Sequence, residues 1–236
     1  MIKSDCQDSV YNPSNIRSHM FSKPELTPIY TFTFLRHGES IGNAEGKHQG
    51  QADFELTEKG RTQARALAER WEMEKRRFDG AVSSPLMRAR ETAELVCGAL
   101  AIPLTYDPRW MERDNGLLAG LHPDEAMLLH PRPPFIHPYL AIGETGESQW
   151  ELYLRAGEAV QSLFIQPPGS YLVISHGGIL NMVFYAILGI APHANFTGPR
   201  FRFHNTAFAT LTYSPGEHKW AVLGINDHLH WPEAEE

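Results

Sequence analysis

The sequence has few cysteines, no long apolar run and no excess of positive charge. Its 236 residues include two cysteines, Cys6 and Cys97, too few for a disulfide framework and not spaced as a CxxC metal motif. The longest apolar stretch, 182–191, is well short of the ~20 residues needed to cross a bilayer, and the N-terminus has no apolar signal segment. We therefore expect a cytoplasmic protein in which Cys97 is a buried thiol.

The charge balance is acidic. The chain carries 21 Lys and Arg against 28 Asp and Glu, a net charge of −7. Such a surface repels nucleic acid and anionic membranes, so neither is an expected partner, and any anion site must be a local basic pocket. With 42% hydrophobic and 21% charged residues, the composition is that of a folded globular protein.

Strand patterns alternate with helix patterns along the chain. Apolar or β-branched runs predict strands at 30–35, 81–83 and 171–174, with two more near 207–213 and 219–224. Periodic apolar positions predict helices at 57–71, 84–100, 147–164 and 179–188. This alternation predicts an α/β fold, a three-layer α/β/α sandwich with a mostly parallel central sheet.

The domain boundaries follow from composition. Residues 1–29 are polar and proline-containing without periodicity, which indicates an N-terminal tail or lid. The domain is expected at 30–225, followed by a C-terminal tail at 226–236. Within it, residues 113–146 contain five prolines and little periodicity, so they form either a substrate-covering insertion or an inert excursion; long loops favour the first.

Three predicted strands end in polar and charged residues. Arg36 and His37 follow the first, Arg88 lies soon after the second, and His176 follows a later one. In parallel sheets, ligands bind beyond the carboxyl ends of the strands. Each residue alone has an ordinary structural explanation, but together they concentrate positive charge in an acidic protein. Such a cluster favours a bound anion, of which a phosphate dianion is the simplest.

The segment 35–40, Leu-Arg-His-Gly-Glu-Ser, together with Asn43, resembles the defining motif of the histidine phosphatase superfamily, also called the phosphoglycerate mutase-like family. Further matches occur in the family's order at 49–50, 84–89, Glu112, 146–148 and 175–177. The resemblance spans about residues 31–213, and the combination of motifs is specific. It implies a phosphoglycerate mutase-like fold and an enzyme that transfers phosphoryl groups.

The resemblance also implies roles for individual residues. His37 would be the nucleophile that forms a phosphohistidine, with its other ring nitrogen donating to a backbone carbonyl. Glu112 would be the general acid and base. Arg36, Arg88 and His176 would surround the phosphoryl oxygens and complete the catalytic set. The expected substrate-binding residues are Arg36, Asn43, Gln49, Gly50, Arg88, His176 and Gly177.

The chain departs from the family's mutases in ways that favour hydrolysis. After Glu112 they usually carry Arg-His-Tyr-Gly, whereas Asp114 here has the wrong sign for a second anion. Asn181 stands where many phosphatases of the family have arginine. The amides of Gly177 and Gly178, at a predicted helix start, are expected to add positive charge to the site.

We therefore predict a metal-independent phosphatase, without a cofactor, that acts on a small phosphorylated substrate. The 12 histidines include no HExxH motif, and no metal site is expected. Two alternatives remain: a cofactor-dependent mutase, and a non-catalytic protein that binds a phosphorylated ligand. The complete set of nucleophile, acid and phosphate ligands argues against the second, because binding alone requires neither a nucleophile nor an acid.

Overall fold

The structure is a computed structural model that describes residues 28–231. The predicted tail at 1–29, except for its last two residues, and the end of the predicted tail at 226–236 lie outside the described residues. Among the helices that the structure describes, none has the length and apolar character needed to span a bilayer.

One six-stranded sheet organises the domain. Its strands are β1 (Tyr30–Arg36), β2 (Gly80–Ser83), β3 (Leu104–Tyr106), β4 (Ser170–Ser175), β5 (Phe208–Ser214) and β6 (Lys219–Asp227). The spatial order is β3-β2-β4-β1-β5-β6. The first four strands in this order are parallel, and β5 and β6 are antiparallel to their neighbours. The mostly parallel sheet is therefore confirmed.

Helices cover both faces of the sheet. They are α1 (Ile41–Ala44), α2 (Glu58–Met73), α3 (Met87–Leu100), α4 (Pro123–Leu129), α5 (Gln149–Leu163) and α6 (Gly177–Leu188). Helices α5 and α6 pack with Phe32 and Phe34 of β1 on one face, whereas α2 and α3 pack with Leu35 on the other. Because successive strand residues point to opposite faces, one apolar strand contributes to both cores and produces the three predicted layers.

Three of these helices and strands were not predicted: the four-residue helix α1, strand β3 and helix α4. Strand β3 has only three residues at the sheet edge, too short to show an alternating pattern. Helix α4 lies inside the insertion at 113–146, where Pro123 starts the helix and Asp124 and Glu125 stand in its first turn. At the other end of the chain, β6 extends to Asp227, two residues beyond the expected end of the domain.

The strand order places the functional segments together. Strand β4 lies between β1 and β2, with Arg36 opposite Ser175 and Ser83 opposite Ile174. The residues that follow these three strand ends therefore leave the sheet side by side.

Cys97 is a buried free thiol, as the sequence predicts. Burial raises its pKa to about 12.

Candidate active site

The loop after β1 is held on three sides. The amide of His37 donates to the Ser175 carbonyl at 3.0 Å, and that of Gly38 donates to Thr92 Oγ1 at 3.0 Å. A Cβ atom on Gly38 would lie 2.6 Å from the Gly60 carbonyl oxygen at the start of α2. Glycine is needed here because the start of the helix packs directly against the loop backbone.

His37 is 3% exposed, and its ring is oriented by its own neighbour. Its Nδ1 lies 2.7 Å from the carbonyl oxygen of Gly38. Because a carbonyl can only accept, Nδ1 carries the proton and Nε2 keeps a free lone pair. Burial, followed by the nearby charges of Arg88 and Arg36, holds the pKa of His37 well below its ordinary value of 6.5. The imidazole is therefore neutral at neutral pH, the form a nucleophile requires.

His176 faces His37 from the end of β4. The ring centroids are 5.0 Å apart, and His176 Nε2 lies 2.7 Å from Ser84 Oγ. Burial, followed by the Arg88 charge and His37, also lowers the pKa of His176 well below 6.5. Adjacent strands thus bring together two neutral imidazoles that are 139 positions apart (176 − 37) in the sequence.

The two arginines are anchored by backbone carbonyls. Arg36 donates to Phe203 O at 2.6 Å, and Arg88 donates to Gly50 O at 2.7 Å and Ala52 O at 3.0 Å. Arg88 is 1% exposed, and burial lowers its pKa to about 10. Neutral carbonyls satisfy only part of a buried guanidinium's donors and leave its charge uncompensated.

Several buried nitrogen atoms at this site have no hydrogen-bond partner among the described residues. They are Arg36 Nε, Arg88 Nε, His176 Nδ1 and, at the start of α5, Gln149 Nε2. A buried polar group without a partner costs about 1–3 kcal/mol. An anion with several acceptor oxygens would offset both this cost and the charge of the arginines, which matches the chemistry of a phosphoryl group.

Glu112 lies at the N-terminus of α6. Its Oε2 accepts from the Gly178 amide at 2.9 Å, and its Oε1 accepts from the amides of Ile179 at 3.0 Å and Arg113 at 2.8 Å. A Cβ atom on Gly178 would collide with this carboxylate. The Gly178 amide, which was expected to add positive charge to the site, donates to the protein's own carboxylate at this helix N-terminus.

The Glu112 backbone is held by a half-buried ion pair. Arg155 donates to the carbonyls of Met111 at 2.7 Å and Glu112 at 3.1 Å, and it pairs with Glu147 at 2.6 Å. On the carboxylate, Oε1 accepts two hydrogen bonds whereas Oε2 accepts one. Oε2 is therefore the oxygen with spare capacity to carry a proton.

A cavity of about 1110 Å³ opens at this edge of the sheet. Its walls include three of the predicted catalytic residues and all of the predicted substrate contacts except His176: Arg36, Asn43, Gln49, Gly50, Arg88, Glu112 and Gly177. His37 and His176 are almost wholly buried and are not part of this lining. The predicted residues thus gather at one place, where the two imidazoles lie buried within reach of the Arg36 and Arg88 charges.

Some of the predicted substrate-binding residues make hydrogen bonds to other residues of the protein. The Ser40 hydroxyl lies 2.9 Å from Asn43 Oδ1 and 2.7 Å from Gln49 Oε1, and Asn205 Nδ2 donates to Asn43 Oδ1 at 3.2 Å. The Gly50 carbonyl accepts from an arginine, as described above. These residues therefore shape the loop around the cavity, and their contact with substrate stays a prediction.

The lining of the cavity also contains cations that were not predicted as site residues. We call this set its outer wall, and its members are Lys47, Arg113, Arg132, Arg200 and Arg202. Asp114 was expected to oppose a second anion at this site. Its carboxylate accepts from the Gly116 amide at 2.8 Å and is not part of the wall, to which Arg113 contributes instead. The sign of Asp114 therefore does not argue against a second anion.

Three positioning residues were also missed. Ser84 was placed at a helix start and in the motif match at 84–89 but was given no role, and Arg155 lies in the predicted helix at 147–164 without a distinguishing pattern. Asn205, which donates to the His37 carbonyl at 3.1 Å, stands in a loop where no sequence signal marks it. Across residues 28–231, no group of three or more His, Cys, Asp or Glu side chains is arranged to hold a metal ion.

Comparison with known proteins agrees with this geometry. The model of the histidine phosphatase superfamily (branch 1) matches residues 32–228. The chain is 34% identical over 217 residues to "Probable phosphoglycerate mutase GpmB" of Citrobacter koseri, covering 86% of this chain and 96% of that protein. It is 33% identical over 197 residues to the protein of the same name from Enterobacter sp., covering 80% and 87%.

Solved structures show the same fold. YhfR of Bacillus stearothermophilus aligns with a TM-score of 0.70 and 29% identity over 85% of this chain and 99% of that one. A mycobacterial glucosyl-3-phosphoglycerate phosphatase in complex with VO3 aligns with a TM-score of 0.68 and 26% identity over 84% and 98%. The similar proteins thus include both mutase and phosphatase names.

Proposed function

This chain belongs to the histidine phosphatase superfamily, and we propose that it is a phosphatase of small phosphomonoesters that uses no metal or cofactor. The observation that carries the proposal is the convergence of two neutral imidazoles, 5.0 Å apart, with two buried arginines and a carboxylate at one end of a cavity. Binding an anion would need the arginines alone, whereas a nucleophile and an acid are useful only for chemistry.

In the first step, His37 Nε2 attacks phosphorus. The P–N bond forms as the ester P–O bond breaks, and Glu112 Oε2 gives its proton to the departing alkoxide. Arg36, Arg88 and His176 donate to the three remaining oxygens, whose charge is spread widely in the loose transition state. These donors are fixed before substrate arrives, so little reorganisation is needed during the reaction.

In the second step, water attacks the phosphohistidine. The same Glu112 carboxylate takes the proton of the water, the P–N bond breaks, and His37 returns to its neutral form. Inorganic phosphate leaves, and the balance is one ester and one water converted to one alcohol and one phosphate. No metal is needed to neutralise the phosphoryl oxygens, because two guanidinium groups already do so and would repel a divalent cation.

The proposal is tested by release of phosphate from an alkyl or aryl phosphate ester in the presence of EDTA. We expect inhibition by vanadate and, after rapid quenching during turnover, a phosphorylated peptide that contains His37 by mass spectrometry. Loss of activity in EDTA, restored by a divalent cation, would refute metal independence. A phosphoryl group found on another residue would refute the role of His37.

A mutase is the second candidate, and the basic outer wall of the cavity favours it. Arg113, Arg132, Arg200 and Arg202 could hold a second anionic group of a phosphorylated acid or of a bisphosphorylated cofactor. Incubation with 3-phosphoglycerate, with and without a bisphosphoglycerate, separates the candidates. A phosphatase releases inorganic phosphate without the bisphosphate, whereas a mutase forms the isomer and needs it.

A further inference from the structure

A second chamber lies inside the insertion at 113–146. Its volume is about 710 Å³, which is large enough for a ligand the size of many cofactors and drugs. Most of its wall is apolar and includes Leu118, Ala126, Ile136 and Ile142. Ala126 and Ile136 are buried at 5% and 7% exposure, so the wall is part of the packed structure of the insertion.

The chamber adjoins the catalytic cavity. His48, Arg113, Asn115, Arg132 and Phe196 line both spaces. At this junction the Phe196 ring has the guanidinium of Arg113 at 5.4 Å and that of Arg132 at 5.8 Å from its centroid. The boundary between the two spaces is therefore formed by an aromatic ring with two cations near it.

Arg113 connects the chamber to the reacting groups. Its amide holds Glu112 Oε1 at 2.8 Å, and its Nε donates to Asn115 Oδ1 at 3.0 Å. A substrate with its phosphoryl group at His37 and its leaving oxygen at Glu112 therefore has its organic part beside Arg113. Arg113 also lines the apolar chamber, so the chamber adjoins the space where the leaving group would lie.

We propose that the chamber binds the leaving group, and that the enzyme is specific for phosphomonoesters with an extended alkyl or aryl group. This inference rests on the proposed function. The phosphoryl group stays at the strand ends, the leaving oxygen lies at Glu112, and the apolar part passes Phe196 into the chamber of the insertion.

The chemistry of the wall selects an apolar occupant. The polar pair in the wall, His130 and Glu144, is 2.7 Å apart and is satisfied within itself. The guanidinium groups of Arg113 and Arg132 lie at the junction, where they face the phosphate side as well. A polar group deep in the chamber would lose water without gaining partners, whereas an apolar group would gain the full benefit of burial.

The test is a series of linear alkyl phosphates from ethyl to octyl. Their leaving alcohols differ little in reactivity, so differences in kcat/KM report how well the alkyl chain of the substrate is bound. Burial of one methylene is worth about 0.8 kcal/mol, so we expect kcat/KM to rise by up to about fourfold per carbon until the chamber is filled. A flat series, or one that falls with length, would overturn the inference.

Variants locate the effect in the chamber. Ala126→Trp fills it, and we expect the ratio of kcat/KM for octyl and ethyl phosphate to fall about tenfold or more. Leu128→Trp is the matched control, because residue 128 is on the same helix, 81% exposed and not part of the wall; its ratio should equal that of the unmodified chain. The ratio does not depend on how much of the protein is folded.

Ile142→Asn is a second variant that adds a polar group to the wall without filling it, and it should lower the same ratio. If both variants keep the full preference for octyl phosphate, the alkyl chain of the substrate binds elsewhere, for example at the apolar side of the main cavity near Leu152. The inference is then wrong. If ethyl and octyl phosphate release no phosphate at all with the unmodified chain, the proposed function itself fails.

Discussion

At the inner end of the site, the two imidazoles and the two arginines lie at strand ends or in the first turn of a helix. At the outer end, the charged side chains come from loops. His37 and His176 directly follow β1 and β4, and Arg88 is the second residue of α3. Arg132 and Arg200, in contrast, stand outside helices and strands. The sheet thus fixes the geometry of the chemistry, while the loops determine which molecule is presented to it.

The contacts of these groups differ in the same way. At the inner end, backbone carbonyls hold His37 and Arg88, and neither residue has an acidic side chain as a hydrogen-bond partner. This arrangement keeps their donors and lone pairs available for a ligand. At the outer end, Arg113 and Arg132 lie near the Phe196 ring, a contact that can adjust to ligands of different shape. We therefore expect inner substitutions to change kcat and outer ones to change KM.

The largest effect should come from His37→Ala. Removing the nucleophile should lower kcat by about 10⁴-fold or more, because the remaining groups only bind and polarise the ester. His48→Ala, at the outer wall, is the matched control and should leave kcat within about threefold. Steady-state hydrolysis of p-nitrophenyl phosphate measures both. Equal losses in the two variants would contradict the division between the ends.

Glu112→Ala should show an effect that depends on the leaving group. General acid catalysis contributes about 10²- to 10⁴-fold, so hydrolysis of an alkyl phosphate should fall by this factor. Hydrolysis of p-nitrophenyl phosphate should fall far less in its first step, because nitrophenolate leaves without a proton. Rapid mixing with both esters measures phosphorylation of the enzyme. A uniform loss would mean that Glu112 is not the acid.

Arg88→Ala should lower kcat by about 10²- to 10³-fold, the usual cost of removing one preorganised donor from a transition state. Arg132→Ala, which removes a guanidinium from the outer wall, should raise KM and leave kcat nearly unchanged, because its contact is the same in the ground and transition states. Full kinetic curves for the two variants, with circular dichroism to check folding, measure the contrast. A drop in kcat for Arg132→Ala would place that residue in the chemistry.

The two ends also differ in how far sequence predicted them. At the inner end, apolar runs in the sequence predict β1 and β4, so the residues that follow these two strands could be predicted to lie at the ends of the strands. The direction of the Glu112 carboxylate was not readable, because it depends on α6 beginning beside the 112 segment. The outer arginines come from loops whose approach depends on packing, and no local pattern marks residues 132, 200 and 202. Strand β3 and helix α4 were missed for a related reason, since each is too short to show periodicity.

The smallest effect concerns stability, and it also separates the two ends. Since the pKa values of His37 and His176 lie well below 6.5 in the folded protein, both rings stay neutral where the unfolded chain takes up protons. Above pH 6.5 they have no influence on the free energy of unfolding. As pH falls from 6.5 toward the folded pKa values, each should remove about 1.4 kcal/mol per pH unit, because the unfolded state binds more protons.

Urea unfolding between pH 7 and 5 measures this loss. His176→Asn should make the decrease shallower by about 1.4 kcal/mol per unit, whereas His204→Asn, at the outer wall, should change it less, because burial lowers the pKa of His204 less deeply. Saturating phosphate should also flatten the curve, since an anion beside the inner imidazoles favours their protonated forms. If phosphate left the slope of the unmodified chain unchanged, the anion would bind away from His37 and His176, and the inner end could not be the phosphoryl site.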